Sequence, residues 1–367
     1  MTTTGPLRDR AEHALDYAAR QLRRLVTVHP DYFPLYTEDG QWRHEGEAWT
    51  NWCEGFLPGQ LWLIHQQTGD PWFRERAIHY CRLIEHRATD TSVHDLGFLF
   101  WSSWKRWYDA DGEEFQHHVI IEAGHTAGSR FREKGRYLPS FVGPQSLFID
   151  IMMNIGIIYY AAQETGDADL LRRVNQHCLT TRRYLVRGDG STAHEGLFDT
   201  DTGEFLRQST HQGWRGDSMW ARGLTWALYG FGTAYRFSGD ARFLQTAEAC
   251  AACYLEHTPA HGIPPNDWFE PEPQHPYESS AAAIAASGFQ QLARLTSDPL
   301  RARLYRNSAR RILYTLCAPP FLIDDADGHE GILRCGMYHE RRGLGVNQSV
   351  MWGDHFFLEA LCNYLNE

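Results

Sequence analysis

A short phrase that ends in aspartate recurs along this chain between apolar stretches with helical spacing. It reads QQTGD, QETGD, RFSGD and RLTSD, and the four aspartates are Asp70, Asp167, Asp240 and Asp298. A small residue before each aspartate can end one helix, and the aspartate can accept hydrogen bonds from the amides that open the next. The pattern therefore predicts a series of helical hairpins.

Hairpins of this kind bury their inner faces against neighbouring hairpins, either as an open solenoid or as a closed ring. The spacing between copies is irregular and the connections are rich in glycine and aromatic residues, which favours a closed helical toroid with its site at one mouth. No linker or charge run divides the sequence, so we expect an all-α fold in one domain, residues 1–367. Short strands are expected at LGFLFW, from Leu96, and within GHEGILRCGMY, from Gly328.

Composition narrows the possible partners. The formal net charge of −11 argues against nucleic acid or an anionic membrane as the main partner. No run approaches the roughly 18 apolar residues that a membrane span needs, and no secretory signal is visible. Eight scattered cysteines are typical of a reduced cytoplasmic protein, and the pair Cys250 and Cys253 is better explained by packing than by zinc.

The block STHQGWRGDSMWARGLTW, from Ser209 to Trp226, carries the densest chemistry. Its glycines, Asp217 and Ser218 predict a turn that leads into a helix N-cap. Arg222 and Trp226 are four residues apart and share one helix face. An arginine fork can hold a carboxylate while a tryptophan packs on a sugar ring, so the pair suits an acidic carbohydrate. The alternative is a surface helix with an ordinary ion pair.

Two aspartates are candidates for acid–base chemistry. Asp150 lies in the apolar run FIDIMMN, where a helix would align it with Asn154 and bury most faces. A buried carboxyl must be paired, protonated or facing a cavity, and burial would raise its pKa toward that of a general acid. Asp95, in HDLGF, is expected on a loop or helix start. Each could instead be structural, Asp150 as a satisfied core residue and Asp95 as a cap. Together they could form the carboxyl pair that breaks glycosidic bonds.

Other signals are weaker. Trp52 could be a sugar platform, whereas Trp62 is expected in the core, and His194 reads as a loop histidine. The nineteen histidines show no metal-ligand spacing, and there is no phosphate-binding glycine loop or GxSxG elbow. We therefore expect no catalytic metal and no cofactor.

Six segments, spread in order from residue 52 to residue 361, together resemble the unsaturated glucuronyl hydrolases, glycoside hydrolase family 88. They are WCEGFLPGQLW, HDLGF, IDIMMN, STHQGWRGDSMWARGLTWALYGF, GIPPNDW followed by YESSAAAIAASG, and VNQSVMWGDHFFLEAL. The resemblance implies an (α/α)6 barrel. It also implies a cytoplasmic enzyme that acts on lyase-generated oligosaccharides with a 4,5-unsaturated uronic acid at the non-reducing end. In this family water adds at C5 and a proton at C4, and the hemiketal so formed opens to release the remaining sugar.

The resemblance also implies roles for single residues. Asp150 would be the general acid/base and Asp95 the second essential carboxylate. Arg222 would meet the uronate carboxylate or nearby hydroxyls. The remaining substrate-binding residues would be Trp52, His94, His194, Gln212 and Trp226, with Trp52 stacked on the sugar and His94 the weaker candidate.

Two departures bear on specificity. Some members bind sulfate with a Ser-x-x-Ser-x-Lys loop, whereas the corresponding loop here reads YHERRGLG from Tyr338, so sulfate preference is in doubt. Arg341 or Arg342 could meet an anion or form a solvated charge pair. Glu54 could face the substrate and disfavour a nearby anion.

The sequence leaves three alternative functions: an unsaturated rhamnogalacturonyl hydrolase, a sugar 2-epimerase with a histidine acid–base pair, and a non-catalytic sugar-binding protein. The sequence leaves open the parent polysaccharide and whether the protein is a monomer or a homodimer.

Overall fold

The structure is a computed structural model that describes residues 4–42, 51–322 and 328–367. Its helices are α1 (Thr4–Val28), α2 (Phe56–Thr68), α3 (Pro71–Ile84), α4 (Leu96–Phe100), α5 (Trp104–Asp111), α6 (Glu114–Ser129), α7 (Ile155–Thr165), α8 (Ala168–Leu185), α9 (Ala221–Ser238), α10 (Ala241–His257), α11 (Ser279–Leu295), α12 (Pro299–Leu316) and α13 (Met351–Leu365). The strands are β1 (Thr37–Glu38), β2 (Gln41–Trp42), β3 (Ser146–Phe148), β4 (Glu195–Phe198), β5 (Phe205–Ser209), β6 (Gly336–His339) and β7 (Leu344–Gln348).

The helices alternate between an outer and an inner ring. In the described part of the chain the inner helices are α2, α4, α7, α9, α11 and α13, and their outer partners are α3, α6, α8, α10, α12 and α1. The inner helices α13 and α2 pack together and close the ring. The antiparallel strand pairs β1–β2 and β6–β7 and the sheet β3–β4–β5 extend from the loops. The predicted closed toroid, an (α/α)6 barrel, is confirmed.

The recurring aspartates cap helices as predicted. Each side chain accepts hydrogen bonds from backbone amides at the start of its helix, Asp70 on α3, Asp167 on α8, Asp240 on α10 and Asp298 on α12. In the first three copies the preceding helix ends at a glycine in the left-handed conformation. The fourth copy has serine at that position, and its helix ends in extended backbone at Thr296.

The inner helices approach one another closely because they present small residues. Every residue of α11 from Ser279 to Ala293 is buried. On α9, a Cβ added at Gly230 would lie 2.4 Å from the carbonyl oxygen of Met152. On α4, a Cβ at Gly97 would lie 2.5 Å from the Cα atom of Asn154. These two glycines let the segment that carries Asp150 sit against two inner helices.

Three local predictions need correction. LGFLFW forms helix α4 with Trp101 as its C-cap, not a strand, because a short apolar run fits a buried helix as well as a buried strand. Asp150 lies in a short 3₁₀ helix, Ile149–Met153, that precedes α7. Helix α9 begins after Trp220, and Ser218 donates its hydroxyl to Asp267. The strand expected in GHEGILRCGMY is confirmed as β6.

Among the described residues, none of the helices has the length and apolar character needed to cross a membrane.

The glycine contacts predict opposite effects for two substitutions. Gly230→Ala would force a methyl group against Met152, and overpacking against backbone costs about 2 kcal/mol. At Gly156, on α7, the nearest atom to an added Cβ is 3.5 Å away, so Gly156→Ala should be neutral or stabilising by up to about 1 kcal/mol. Denaturant unfolding measures both, and equal free energies of unfolding for the two variants would contradict the packing argument.

Candidate active site

A cavity of about 180 Å³ opens at the mouth of the barrel where several inner helices begin. Trp52 lies just before α2, Asp95 is the N-cap residue of α4, Asp150 precedes α7 and Arg222 is in the first turn of α9. The full lining is Trp52, His94, Asp95, Phe98, Phe141, Val142, Phe148, Asp150, His211, Gln212, Arg222, Tyr338, His339 and Arg342. Helix N-termini carry partial positive charge, so this mouth favours an anion although the net charge of the chain is negative.

Asp95 is buried at the N-cap position of α4, but its side-chain carboxyl accepts no capping hydrogen bond from the helix. Burial raises its pKa well above the usual range, and the charge of Asp150 adds to this effect. Asn154 donates a side-chain hydrogen bond to Asp95, and its own Oδ1 atom accepts the amide of Phe98. Asn154 therefore contacts both aspartates, because its Nδ2 atom also donates to the backbone carbonyl of Asp150, 3.4 Å away.

Asp150 faces the cavity with 14 % of its side chain exposed. Burial raises its pKa to about 6, although the charges of Arg222 and His211 act in the opposite direction. Its Oδ2 atom has no hydrogen-bond partner and lies 3.5 Å from Nε2 of His194. Asp150 thus has the proton affinity of a general acid that works near neutral pH.

Each carboxyl has a neutral histidine behind it. Nδ1 of His94 accepts the amide of Phe141, so Nε2 carries the proton and donates to Asp95, 3.2 Å away. Nδ1 of His194 accepts the amides of His211 and Gln212, which leaves the Nε2 proton directed at Asp150. Burial lowers the pKa of His94 to about 3 and that of His194 well below its usual value. The backbone therefore fixes both tautomers.

Arg222 is a fully buried cation, 1 % exposed, that donates its hydrogen bonds to neutral oxygens. Its guanidinium donates to the carbonyls of Met337 and Tyr338 and to Oε1 of Gln212. Because Gln212 accepts through Oε1, its amide nitrogen is the group left to face the cavity. The charge of Arg222 thus acts on the cavity mainly as a field, while its predicted carboxylate fork is occupied by protein groups.

The tryptophans divide between the cavity and the core. Trp52 lines the cavity and packs with its ring centroid 4.8 Å from that of Trp352 and 5.5 Å from that of Phe98. Trp226 is 1 % exposed and lies behind Phe98, with 5.2 Å between ring centroids. The expected sugar contact of Trp226 therefore does not match its position, because the face it shares with Arg222 points into the core. Trp62 is in the core as expected.

Of the eight predicted site residues, the cavity lining unites six: Trp52, His94, Asp95, Asp150, Gln212 and Arg222. His194 is buried behind the lining, packed 4.6 Å from Phe148 and 4.5 Å from Trp220 between ring centroids. Sequence reasoning missed His211, Tyr338 and His339 as lining residues. His211 could have been predicted, because it adjoins Gln212 in the block from Ser209 to Trp226.

The structure also shows where the residues of the two specificity hypotheses lie relative to the cavity. Glu54 does not line the cavity, and its Oε2 atom lies 2.5 Å from Nη1 of Arg87. That pairing explains why Glu54 would not repel a bound anion. Of the two arginines in the loop from Tyr338, Arg342 lines the cavity and Arg341 does not.

Known proteins resemble this chain along most of its length. An unsaturated glucuronyl hydrolase of Bacillus sp. (strain GL1) is 33% identical over 361 residues, which are 95% of this chain and 94% of the relative. An unsaturated chondroitin disaccharide hydrolase of Streptococcus pyogenes serotype M1 is 27% identical over 96% of this chain and 91% of its own. A crystal structure of an unsaturated glucuronyl hydrolase specific for heparin superposes with a TM-score of 0.91 at 27% identity, covering 98% of this chain and 97% of that one. No protein-family model matches the chain.

The raised pKa of Asp150 predicts a pH-dependent stability difference. A carboxyl whose pKa is higher in the folded state holds more protons there, so its contribution to stability falls as pH rises from about 4 through about 6. The free energy of unfolding of Asp150→Asn, measured with denaturant, should therefore exceed that of wild type at pH 8 by at most about 3 kcal/mol. Near pH 4 the two values should be equal. A variant less stable than wild type at pH 8 would contradict a desolvated carboxyl.

Proposed function

Since the chain belongs to the unsaturated glucuronyl hydrolases, we propose that Asp150 and Asp95 carry its reaction in the cavity at the barrel mouth. The enzyme releases the 4,5-unsaturated uronic acid from the non-reducing end of lyase-generated oligosaccharides of the glycosaminoglycan type. It does so by hydrating the C4=C5 vinyl ether. The observation that supports these roles is a pair of desolvated carboxyls, each backed by a neutral histidine.

Asp150 is the general acid and then the general base. As a carboxylic acid it gives its proton to C4, and the positive charge that develops at C5 is shared with the ring oxygen. Water then forms a bond to C5 and returns a proton to the Asp150 carboxylate. The hemiketal opens to a ketone at C5 and a hemiacetal at C1, and this hemiacetal collapses to the C1 aldehyde as the remaining sugar leaves. The raised pKa of Asp150 supports this role, because it keeps the proton available near neutral pH.

Asp95 is the second essential carboxyl. It accepts from His94 and Asn154, which fix its orientation toward the cavity. The pKa of Asp95 is raised partly by the charge of Asp150, so the two carboxyls favour a state that retains a proton. In that state Asp95 holds ring hydroxyls of the uronic acid.

The uronate is recognised by charge and by an aromatic surface. The amide nitrogen of Gln212, turned outward by Arg222, donates to the substrate, and the buried guanidinium supplies positive potential. Trp52 offers its ring to a sugar face. The low pKa values of His94 and His194 make a histidine acid–base pair, as in the epimerase alternative, a poor fit to this site.

Our proposal also covers the domain organisation and the cellular location of the enzyme. We propose one catalytic domain that works in the cytoplasm after its substrate is imported. All eight cysteines are free and buried, as is usual in a reducing compartment.

Substituting the two carboxyls tests the mechanism. With unsaturated disaccharides from a lyase digest, wild type should remove the ultraviolet absorbance of the conjugated enol-ether acid. Asp150→Asn should slow this by about 1,000-fold or more, because the acid and base steps both lose their group. Asp95→Asn should also be strongly impaired. Asp217→Asn is the control, since that side chain is 74% exposed in the neighbouring loop. Full activity of Asp150→Asn would remove Asp150 from its role.

The pH profile tests the protonation state. Because the first step needs the acid form of Asp150, kcat/KM should fall as pH rises through about 6, approaching tenfold per pH unit. A kcat/KM that increases across the same range would show that the carboxylate, not the acid, is the reactive form.

A further inference from the structure

His211 is a cavity residue with no part in the mechanism described so far. It lies on the loop between β5 and α9, and 44% of its side chain is exposed. Its imidazole packs against Phe148, with 5.3 Å between ring centroids. Its backbone amide is the one that holds Nδ1 of His194, so the position of His211 is tied to the site behind Asp150.

A buried carboxylate anchors the far side of this imidazole. Oε1 of Glu195 lies 3.4 Å from Nε2 of His211, and the Glu195 side chain is only 3% exposed. Burial alone would raise the pKa of Glu195, but hydrogen bonds from His211 and from Ser146, 2.5 Å away, hold it below its usual value. Glu195 is therefore an anion that orients His211 and accepts from its Nε2–H.

The chemistry of the substrate places an anion beside these groups. The uronate carboxylate is bonded to C5, the carbon that water attacks, so it must lie close to Asp150. Arg222 and His211 are the two side chains of other residues that lower the pKa of Asp150, so both lie near its carboxyl. Arg222 already donates to two carbonyls and to Gln212. His211 has a second ring nitrogen that Glu195 does not use.

We propose that His211 is a substrate-binding residue that contacts the uronate carboxylate through Nδ1, the ring nitrogen that Glu195 does not bind. A protonated imidazole donates through both nitrogens, one to Glu195 and one into the cavity. The titratable groups around it are Glu195, Asp150, His194, Arg222 and His339. This inference rests on the proposed function, because it names a contact for the acid group of that substrate.

A double-mutant-type cycle, in which one change is made in the protein and the other in the substrate, tests the contact. Wild type and His211→Gln are assayed on an unsaturated disaccharide and on the methyl ester of its uronate, which lacks the charge. We expect His211→Gln to raise KM for the acid about tenfold with little change in kcat, and to leave KM for the ester unchanged. Glu195→Gln should also raise KM for the acid substrate. His118→Gln, an exposed histidine on α6, is the matched control and should behave as wild type.

The outcomes separate this inference from the proposed function. If His211→Gln raises KM for acid and ester by the same factor, or changes neither, the carboxylate contact is wrong while the hydrolase function stands. If wild type consumes neither substrate, the function fails and the contact with it. Thermal unfolding of each variant shows whether it is folded, and His211→Asn replaces His211→Gln if that variant is not.

Discussion

Keeping two carboxyl groups away from water is the constraint on which the rest of this structure depends. Asp95 and Asp150 occupy one small cavity, and their pKa values rise because of burial. An unpaired ionised carboxylate in such a place costs several kcal/mol. The surroundings offset this cost with neutral histidines, helix N-termini and the field of a buried arginine, and none of these neutralises the acids outright. The site therefore keeps a proton that a fully solvated or salt-bridged aspartate would lose.

The barrel supplies this environment through close backbone contacts. Gly97 and Gly230 allow α4 and α9 to pack on opposite parts of the segment that ends at Asn154. A side chain at either position would push that segment away and open a path for water. The hairpin β6–β7 completes the enclosure, because its Met337 carbonyl fixes Arg222 while its Met337 amide is held by the buried carboxylate of Glu278. Chemistry and packing are thus specified by the same few contacts.

Much of this could be predicted from local sequence. Helix caps such as Asp70 and Asp298 are signals within a few residues, so the hairpins and the ring followed from them. The helix at Leu96 was missed because a five-residue apolar run has no period of its own. Trp52 and Trp226 could not be separated as cavity and core, since that depends on how α9 rotates against α4. The pairing of His211 with Glu195 joins residues 16 positions apart across a β-hairpin, and spacing alone does not reveal it.

The tautomers of His94 and His194 are set by backbone amides of neighbouring loops, from Phe141 and from His211 and Gln212. Main-chain groups are present whatever side chains a loop carries, so a side-chain substitution in these loops leaves the proton on either ring undisturbed. Their lengths are another matter. Inserting or deleting a single residue would move the amide off the ring nitrogen and allow the proton to shift, leaving a carboxyl with a lone pair opposite it. For these two tautomers the length of each loop therefore matters more than its composition.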